Sequence, residues 1–249
     1  MNLYENERVD YVNDDISLIQ KTDGLTFGTD ALLLAGYVDG KFKDAVELGG
    51  GSGIISMLLL SRKKCERCAA LEVQEEYASL IKRNAEYNSL SERLTAVHTD
   101  VREYKSEKEC ELVFTNPPYM KVSSGRQNGN EKKTIARHEV FGDISDFISS
   151  AARLLKYGGA FYAVYRPDRL VDIIAAMREF KLEPKRMTFV LANERSEASM
   201  VLIEGKKGAF GGLKLTRPLI IYKDEYNKEY SSDMNYIMEN GSFPKDYGK

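Results

Sequence analysis

The sequence has few of the features that mark membrane-bound or secreted proteins. No segment approaches the roughly 18 consecutive apolar residues that a transmembrane helix needs. Residues 1–7 are acidic and contain no apolar core, so they do not resemble a secretory signal. These absences predict a cytoplasmic protein that does not contact a membrane.

Cysteine and histidine are also scarce, with three and two residues respectively. Cys65 and Cys68 form a C-x-x-C pair, but a structural zinc site needs four ligands. The chain has no second cysteine pair, and no histidine lies close to Cys65 and Cys68 in the sequence. We therefore expect no metal site, and predict one exposed thiol and one buried in a strand.

The chain lacks an excess of positive charge, since its formal net charge is −2. This balance argues against indiscriminate binding to nucleic acid, although it allows a local basic patch. Hydrophobic residues make up 43% and charged residues 30%, as in ordinary globular proteins. We see no repeats and no low-complexity linker, so the 249 residues are expected to form a single domain.

From Asp44 onward, short apolar runs alternate with segments of helical periodicity. This alternation is typical of βαβ units and of a mostly parallel α/β sheet. The pattern predicts strands at 44–48, 68–72, 94–98, 112–115, 160–165, 187–192, 199–204 and 214–222, and helices at 54–62, 75–87, 144–155 and 169–180. Gly158-Gly159 is expected to cap the third helix, and Gly205–Gly212 to form a turn.

The expected domain has three parts. Residues 1–42 form a lead-in, residues 43–222 the core and residues 223–249 a C-terminal extension. The lead-in is predicted to contain a short strand at 16–20 and a helix at 31–37, the helix being capped by Thr29 or Asp30.

A glycine cluster, Glu47–Gly53, follows the first core strand and precedes a helix. Its glycines allow a sharp turn and the close approach of a ligand. The spacing is G-x-G-x-G at Gly49, Gly51 and Gly53, and Ile54 stands where the dinucleotide fingerprint needs glycine. The cluster also has no Lys-Ser/Thr ending, which excludes a P-loop.

Three acidic residues lie at or just after the ends of the first three core strands. Glu47 would repel a pyrophosphate but suits a ligand that carries an ammonium and a sulfonium group. Glu72 can accept hydrogen bonds from ribose hydroxyls, and Asp100 from an adenine amino group. The set predicts a nucleoside cofactor without a pyrophosphate.

The fourth core strand ends in Asn116-Pro117-Pro118-Tyr119. The prolines stiffen the turn and remove two N–H donors. The Asn116 side-chain oxygen and the Pro117 carbonyl could then accept from one amino group and aim its lone pair at a methyl donor. Tyr119 offers a face on which a planar substrate can stack. The turn is therefore interpreted as catalytic.

With these motifs, the chain resembles the class I, Rossmann-like methyltransferases. The resemblance implies one domain with a seven-stranded, mostly parallel sheet of order 3-2-1-4-5-7-6, helices on both faces and S-adenosyl-L-methionine as cofactor. It assigns catalysis to Asn116, Pro117, Pro118 and Tyr119. It assigns cofactor contacts to Glu47, Gly49, Gly51, Gly53, Glu72, Val73, Asp100, Val101 and Asn116.

Residues 23–35 resemble the N-terminal motif of the tRNA valine adenine-N6 methyltransferase family. This narrower resemblance implies that Phe27, Thr29 and Asp30 lie near the methionine end of the cofactor, and that the substrate is an adenine in tRNA. Methyltransferases of ribosomal RNA bases and of protein glutamine remain alternatives. Glutamine methyltransferases typically begin with a helical domain, for which about 43 residues leave no room.

The segment after Tyr119 is rich in positive charge. We expect it to contact the RNA backbone through Lys121, Arg126, Lys132, Lys133 and Arg137, with Lys206 and Lys207 forming a second contact. The loop 120–142 is predicted to be mobile without RNA, and no role is assigned to His138. An RNA-binding protein without turnover is an alternative, but the glycine loop and the Asn-Pro-Pro-Tyr turn are both intact.

Overall fold

The computed structural model describes residues 3–23, 27–117, 142–224, 226 and 228–248. Its strands are β1 (Glu7–Asn13), β2 (Ile16–Lys21), β3 (Phe42–Leu48), β4 (Cys65–Glu72), β5 (Leu94–His98), β6 (Cys110–Thr115), β7 (Leu155–Tyr165), β8 (Leu182–Leu191), β9 (Ala198–Lys207), β10 (Lys214–Leu215) and β11 (Leu219–Ile220). Its α-helices are α1 (Thr29–Tyr37), α2 (Ile54–Ser61), α3 (Glu75–Tyr87), α4 (Ile144–Leu154), α5 (Leu170–Glu179) and α6 (Ser232–Asn240).

The described residues contain a central sheet of nine strands, in the order β10-β8-β9-β7-β6-β3-β4-β5 with β11 also paired to β8. Only β9 runs antiparallel to its described neighbours, β7 and β8. This is a mostly parallel, Rossmann-like sheet. The seven strands β3 to β9 follow the expected order, but the described residues form a sheet of nine strands and not seven. The predicted strand 214–222 is interrupted around Pro218, which has no N–H for a ladder, and its two pieces extend the β8 edge.

The two faces of the sheet have separate hydrophobic cores. Along β6, Leu112 and Phe114 pack into the cluster that includes α1 and α2, whereas Val113 packs into the cluster that includes α4 and α5. Successive side chains of a strand point to opposite faces, which explains this division. Helices therefore cover both faces of the sheet, and a functional site can form only at the ends of the strands.

The N-terminal lead-in is a β-hairpin, in which β1 pairs with the expected strand β2. Asn84 of α3 attaches this hairpin to the core. Its Oδ1 accepts from the backbone N–H of Ile19 at 2.8 Å, and its Nδ2 donates to the carbonyls of Ile19 at 3.1 Å and Ser52 at 2.9 Å. Since Asn84 is fully buried, these bonds replace the water that its amide would otherwise need.

Helix α1 follows the hairpin, and its C-terminal end is held by the buried side chain of Lys64. The Lys64 ammonium donates to the carbonyls of Ala35, Gly36 and Val38 at 2.9, 3.0 and 2.7 Å. These carbonyls would otherwise be unsatisfied at the end of the helix. Burial lowers the pKa of Lys64 to about 7, while three acceptors favour the ammonium form with its three hydrogens.

The glycines at 158 and 159 do not cap a helix, which corrects the prediction. Helix α4 ends at Leu154, and the next residue already begins β7. Gly158 lies within β7 with φ +77°, where the pairing of β6 with β7 shifts register between Cys110 and Leu112. The glycine therefore permits a bulge in the strand.

Two expected helix and turn assignments also differ. Helix α1 begins at Thr29 and its N-cap is Gly28, so neither Thr29 nor Asp30 is the capping residue. Residues Gly205–Lys207, expected in a turn, belong to β9.

All three cysteines are buried, so the prediction of one exposed thiol is wrong. β4 begins at Cys65, three residues earlier than expected, and takes the thiol into the core. Burial raises the pKa of Cys65 to about 12, which leaves it a thiol at neutral pH. Within the described ranges, no group of three or more His, Cys, Asp or Glu residues could hold a metal ion. No helix in the described part of the chain is long and apolar enough to span a membrane.

Candidate active site

The glycine loop leaves the sheet where β3 lies between β4 and β6. The chain runs from β3 to β4 on one side and later enters β6 on the other, so the strand order reverses here and opens a crevice. Leu48 is paired with Thr115, which places Gly49 and Asn116 side by side beyond the ends of their strands. Two motifs that are far apart in the sequence therefore meet at one site.

The amide groups of the glycine loop are largely occupied by protein acceptors. The N–H groups of Gly49 and Gly50 donate to the carbonyl of Leu71 at 3.0 and 2.9 Å, and that of Gly53 donates to the carbonyl of Gly50 at 2.8 Å. A phosphate-binding loop instead directs its N–H groups at the ligand. This loop is consequently suited to a ligand without a pyrophosphate.

Gly51 lies at the open side of the loop. Its φ is +54°, and a Cβ at this position would meet no atom within 4 Å. Its N–H donates to Oε2 of Glu72 at 2.9 Å, while Oε1 of Glu72 accepts from the N–H of Gln74 at 3.0 Å. The two backbone donors fix the Glu72 carboxylate at the end of β4. Each carboxylate oxygen can accept a further hydrogen bond, as a ribose would require.

Glu47 is placed below the loop and only 1% exposed. Its Oε2 accepts from the hydroxyl of Ser56 and, at 3.3 Å, from the Ser56 N–H in the first turn of α2. Burial raises the pKa of Glu47 to about 8, with a smaller contribution from the charge of Glu72. The carboxyl group therefore joins β3 to α2, and its predicted direct contact with a cofactor stays a prediction.

Asp100 follows β5 at the same edge of the sheet. Arg102 donates to its carboxylate through Nε and Nη2, at distances of 2.5–3.0 Å, and holds the pKa of Asp100 below its usual value. Val101 is buried, whereas Val73 is half-buried and its carbonyl lies 3.0 Å from Nε2 of His98. The predicted acids Glu72 and Asp100 thus both lie beside the crevice.

Asn116 and Asp30 meet on the other side of the loop. The Asn116 Nδ2 donates to Oδ2 of Asp30 at 2.8 Å. Close by in the sequence, the Phe27 N–H donates to Oε1 of Gln20 at 2.7 Å, which attaches this segment to β2. The lead-in therefore contributes to the same site as the end of β6.

A cleft of about 1000 Å³ lies against Asp30. It is lined by Thr29, Asp30, Arg166, Pro167, Asp168, Glu197, Ala198, Ser199 and Met200. Most of its charged groups are acidic, and Arg166 is paired with Asp168 at 2.5 Å. The composition of the cleft suits a ligand that donates hydrogen bonds more than it suits a phosphate.

Several predicted residues are not placed at this site. Lys206 lies near the end of β9, where it pairs with Ala160 in the middle of β7, whereas residues 198–200, the part of β9 that lines the cleft, are at the beginning of that strand. Lys207 donates to the carbonyl of Leu155 at 2.5 Å. The structure therefore separates both lysines from the cleft. Pro118, Tyr119, Lys121, Arg126, Lys132, Lys133, Arg137, His138 and the expected loop from residue 120 to 141 lie outside the described residues.

Sequence reasoning missed residues that support the site. Asn84 occupies the apolar stripe of α3, and a polar residue on such a stripe was a signal that it makes specific contacts. Arg102 stands two residues after Asp100, close enough for the local pairing to be expected. Arg166 and Met200 gave no comparable signal, because only the folded chain brings them beside Asp30.

Comparison with known proteins assigns the chain to a family. Residues 21–179 match the model of the family described as the methyltransferase small domain. A tRNA1(Val) (adenine(37)-N6)-methyltransferase from Phocaeicola vulgatus is 26% identical over 83% of this chain and 91% of its own length. The protein of the same name from Pedobacter heparinus is 30% identical over 63% of this chain and 66% of its own length.

Solved structures support the fold. A predicted O-methyltransferase from Agrobacterium tumefaciens superposes with a TM-score of 0.69 at 21% identity, over 86% of this chain and 98% of that one. A 16S rRNA N2 G1207 methyltransferase from T. thermophilus has a TM-score of 0.56 at 16% identity, over 81% of this chain and 50% of that one. With the family model matching well over half of the residues, the chain belongs to the methyltransferase small domain family.

Proposed function

We propose that this protein transfers a methyl group from S-adenosyl-L-methionine to the N6 amino group of an adenine in tRNA. The observation that carries the proposal is the position of Asn116 beside the glycine loop, with its amide bonded to Asp30. The names of the relatives, which specify adenine-N6 methylation of a tRNA, support the choice of substrate.

The residues of the crevice fit this cofactor. The N–H groups of Gly49, Gly50 and Gly53 already donate to protein acceptors, which disfavours a phosphate-bearing ligand. The carboxyl oxygens of Glu72 and Asp100 are acceptors suited to ribose hydroxyls and to an adenine amino group. The residues proposed to line the cofactor site are Phe27, Thr29, Asp30, Glu47, Gly49, Gly51, Gly53, Glu72, Val73, Asp100, Val101 and Asn116. Of these, Asp30 and Asn116 are proposed to lie at the methyl end of the site and to act on the amino group that is methylated, with little effect on cofactor affinity.

The bound cofactor supplies an electrophilic methyl group. The chain's own residues must prepare the nitrogen, because the lone pair of an adenine amino group is delocalised into the ring. The Asn116 oxygen and the Pro117 carbonyl accept the two N–H bonds, favour tetrahedral geometry at nitrogen and direct its lone pair. A strong base is not required, since the proton can leave after transfer. Pro118 and Tyr119 are proposed to complete the substrate contacts.

The RNA backbone is proposed to bind the basic segment that includes Lys121, Arg126, Lys132, Lys133 and Arg137. Lys206 and Lys207 would contact a more distant part of the same RNA. We also propose that residues 1–249 work as one domain, with the 1–42 lead-in completing the site. The bonds from Asn84 to the hairpin and from Asn116 to Asp30 support this view.

The test uses total tRNA from a strain that lacks this gene, purified protein and methyl-labelled cofactor. Digestion to nucleosides and mass spectrometry should find the label in N6-methyladenosine, and sequencing the labelled RNA would identify the site. Label in 2-methylguanosine of ribosomal RNA, or in a protein glutamine, would overturn the substrate assignment. The Asn116→Ala variant should bind S-adenosylhomocysteine nearly as well as the wild type but transfer no methyl group; loss of both would mean that Asn116 holds the cofactor pocket.

A further inference from the structure

The contact between Asp30 and Asn116 joins two segments that are 86 residues apart. Asn116 follows β6, and Asp30 lies in the first turn of α1. The Asp30 carboxylate uses both oxygens for protein donors. Oδ2 accepts from the Asn116 amide at 2.8 Å, and Oδ1 accepts from the backbone N–H of Ala31 at 2.9 Å. The carboxylate is therefore fixed in place before it meets any ligand.

Gly28 leaves room for this arrangement. A Cβ at Gly28 would lie 2.8 Å from Oδ1 of Asp30, closer than a non-bonded carbon and oxygen approach each other. Asp30 also lies in the first turn of α1, where the backbone N–H of Ala31 donates to its Oδ1. Both features keep the Asp30 carboxylate facing the Asn116 side chain.

The chemistry of the pair determines which way the amide of Asn116 points. A side-chain amide has a donor end and an acceptor end, whereas an ionised carboxylate only accepts. The bond to Asp30 consequently takes the NH₂ end, and the oxygen must point elsewhere. Rotating the amide by 180° would bring two acceptors together and cost the hydrogen bond.

We infer that Asp30 is a positioning residue that fixes the rotamer of the Asn116 amide, so that its oxygen receives the amino group to be methylated. This inference rests on the proposed function, since it specifies how the acceptor in that reaction is oriented. It differs from a cofactor contact, because Asp30 acts through Asn116 and has both carboxylate oxygens bonded to the protein.

Asp30→Asn is the informative substitution. An asparagine here has one acceptor oxygen for two donors, the Ala31 N–H and the Asn116 NH₂. If it keeps the bond to Ala31, its own NH₂ faces Asn116, which then turns its oxygen away from the substrate. We expect kcat to fall by about 100-fold, comparable to the loss of one hydrogen bond at a reacting centre. The Kd for S-adenosylhomocysteine should change by less than about threefold.

Exchange of the two side chains supplies the decisive control. In Asp30→Asn combined with Asn116→Asp, the new amide donates to one oxygen of the new carboxylate, and the other oxygen remains for the substrate. The double variant should transfer methyl groups at least about tenfold faster than the product of the two single effects predicts. Asp172→Asn, on the exposed side of α5, controls for the loss of one negative charge.

Different measurements test the inference and the proposed function. Activity of the wild type on tRNA tests the function, whereas the ratio of variant to wild type on any amino substrate tests the inference. A spectroscopic readout needs no turnover: the side-chain amide signals of Asn116, assigned by their loss in Asn116→Asp, should shift in Asp30→Asn and not in Asp172→Asn. Unchanged kcat and amide signals in Asp30→Asn would overturn the inference, as would an equal loss of kcat and cofactor affinity.

Discussion

The backbone N–H of Gly51 donates to Oε2 of Glu72 over 2.9 Å, and this bond joins the turn after β3 to the end of β4. Two parts of the crevice are thereby linked before a ligand binds. The acid that is proposed to hold the ribose also sets the shape of the glycine loop. Substitutions at either residue should therefore affect cofactor binding in distinguishable ways.

Glu72→Ala is expected to weaken the binding of S-adenosylhomocysteine by about 10- to 100-fold, because hydrogen bonds to a charged group contribute about 1.5–3 kcal/mol. Glu72→Gln should lose less, since it keeps one acceptor oxygen. Isothermal titration calorimetry measures both. Glu75→Gln, which neutralises an exposed acid in the first turn of α3, is the matched control and should bind like the wild type.

Gly51→Ala and Gly50→Ala should separate ligand binding from stability. A Cβ on Gly51 enters open space, and the positive φ costs only about 1 kcal/mol. A Cβ on Gly50 would lie 2.8 Å from Ile81 and 3.2 Å from Ala70, inside the packed core. We expect Gly51→Ala to lose cofactor binding with a small change in Tm, and Gly50→Ala to lower Tm more. Equal changes in Tm would show that the loop packs differently.

Lys64→Met should destabilise the protein although methionine is nearly as long as lysine. It leaves the carbonyls of Ala35, Gly36 and Val38 without their donor at a buried helix end. Unsatisfied buried groups cost about 1–3 kcal/mol each, so urea unfolding should show a loss of at least about 2 kcal/mol. The exposed neighbour Lys63→Met is the control, and a similar loss there would remove the special role of Lys64.

Glu47→Gln should change the pH dependence of stability. Folding raises the pKa of Glu47 from its usual 4.5 to about 8, so the folded state holds one more proton than the unfolded state between these values. The contribution of Glu47 to the free energy of unfolding therefore falls as the pH rises from about 5 to 8. The glutamine variant lacks this loss, and its Tm relative to the wild type should rise over the same range. A constant difference in Tm would show that Glu47 is ionised in the folded protein.

Much of the fold was predictable because the core strands have regular apolar patterns. The segments 75–87 and 94–98 were predicted with the bounds that the structure shows. Strand β1 was not predicted from the sequence, because its charged and polar residues do not alternate regularly with apolar ones. It is a strand because β2 pairs with it. The error at Gly158-Gly159 has a similar origin, since a glycine pair suits a helix end as well as a bulge and only the pairing with β6 decides between them.

The candidate site was predictable to a similar degree. Its glycine loop and strand-end acids are adjacent in the sequence to strands whose order the family resemblance supplied. The bond from Asn116 to Asp30 was not predictable, because it depends on how α1 docks on the sheet. The direction of Glu47 was not predictable either. A strand-end acid can face the crevice or the core. Here the hydroxyl of Ser56 donates to the Glu47 carboxyl group and holds it on the core side.

The attachment of the lead-in has a consequence for the order in which the molecule is assembled. The residues that complete the crevice are made before their partners. Ile19 can form its bonds only when Asn84, 65 residues later, has been made, and Asp30 only when Asn116, 86 residues later, has been made. Contacts between distant residues carry a larger closure entropy and slow folding. During synthesis we therefore expect the segment that contains Ile19 and Asp30 to leave the ribosome before these partners, and to complete its docking only after β6 has emerged.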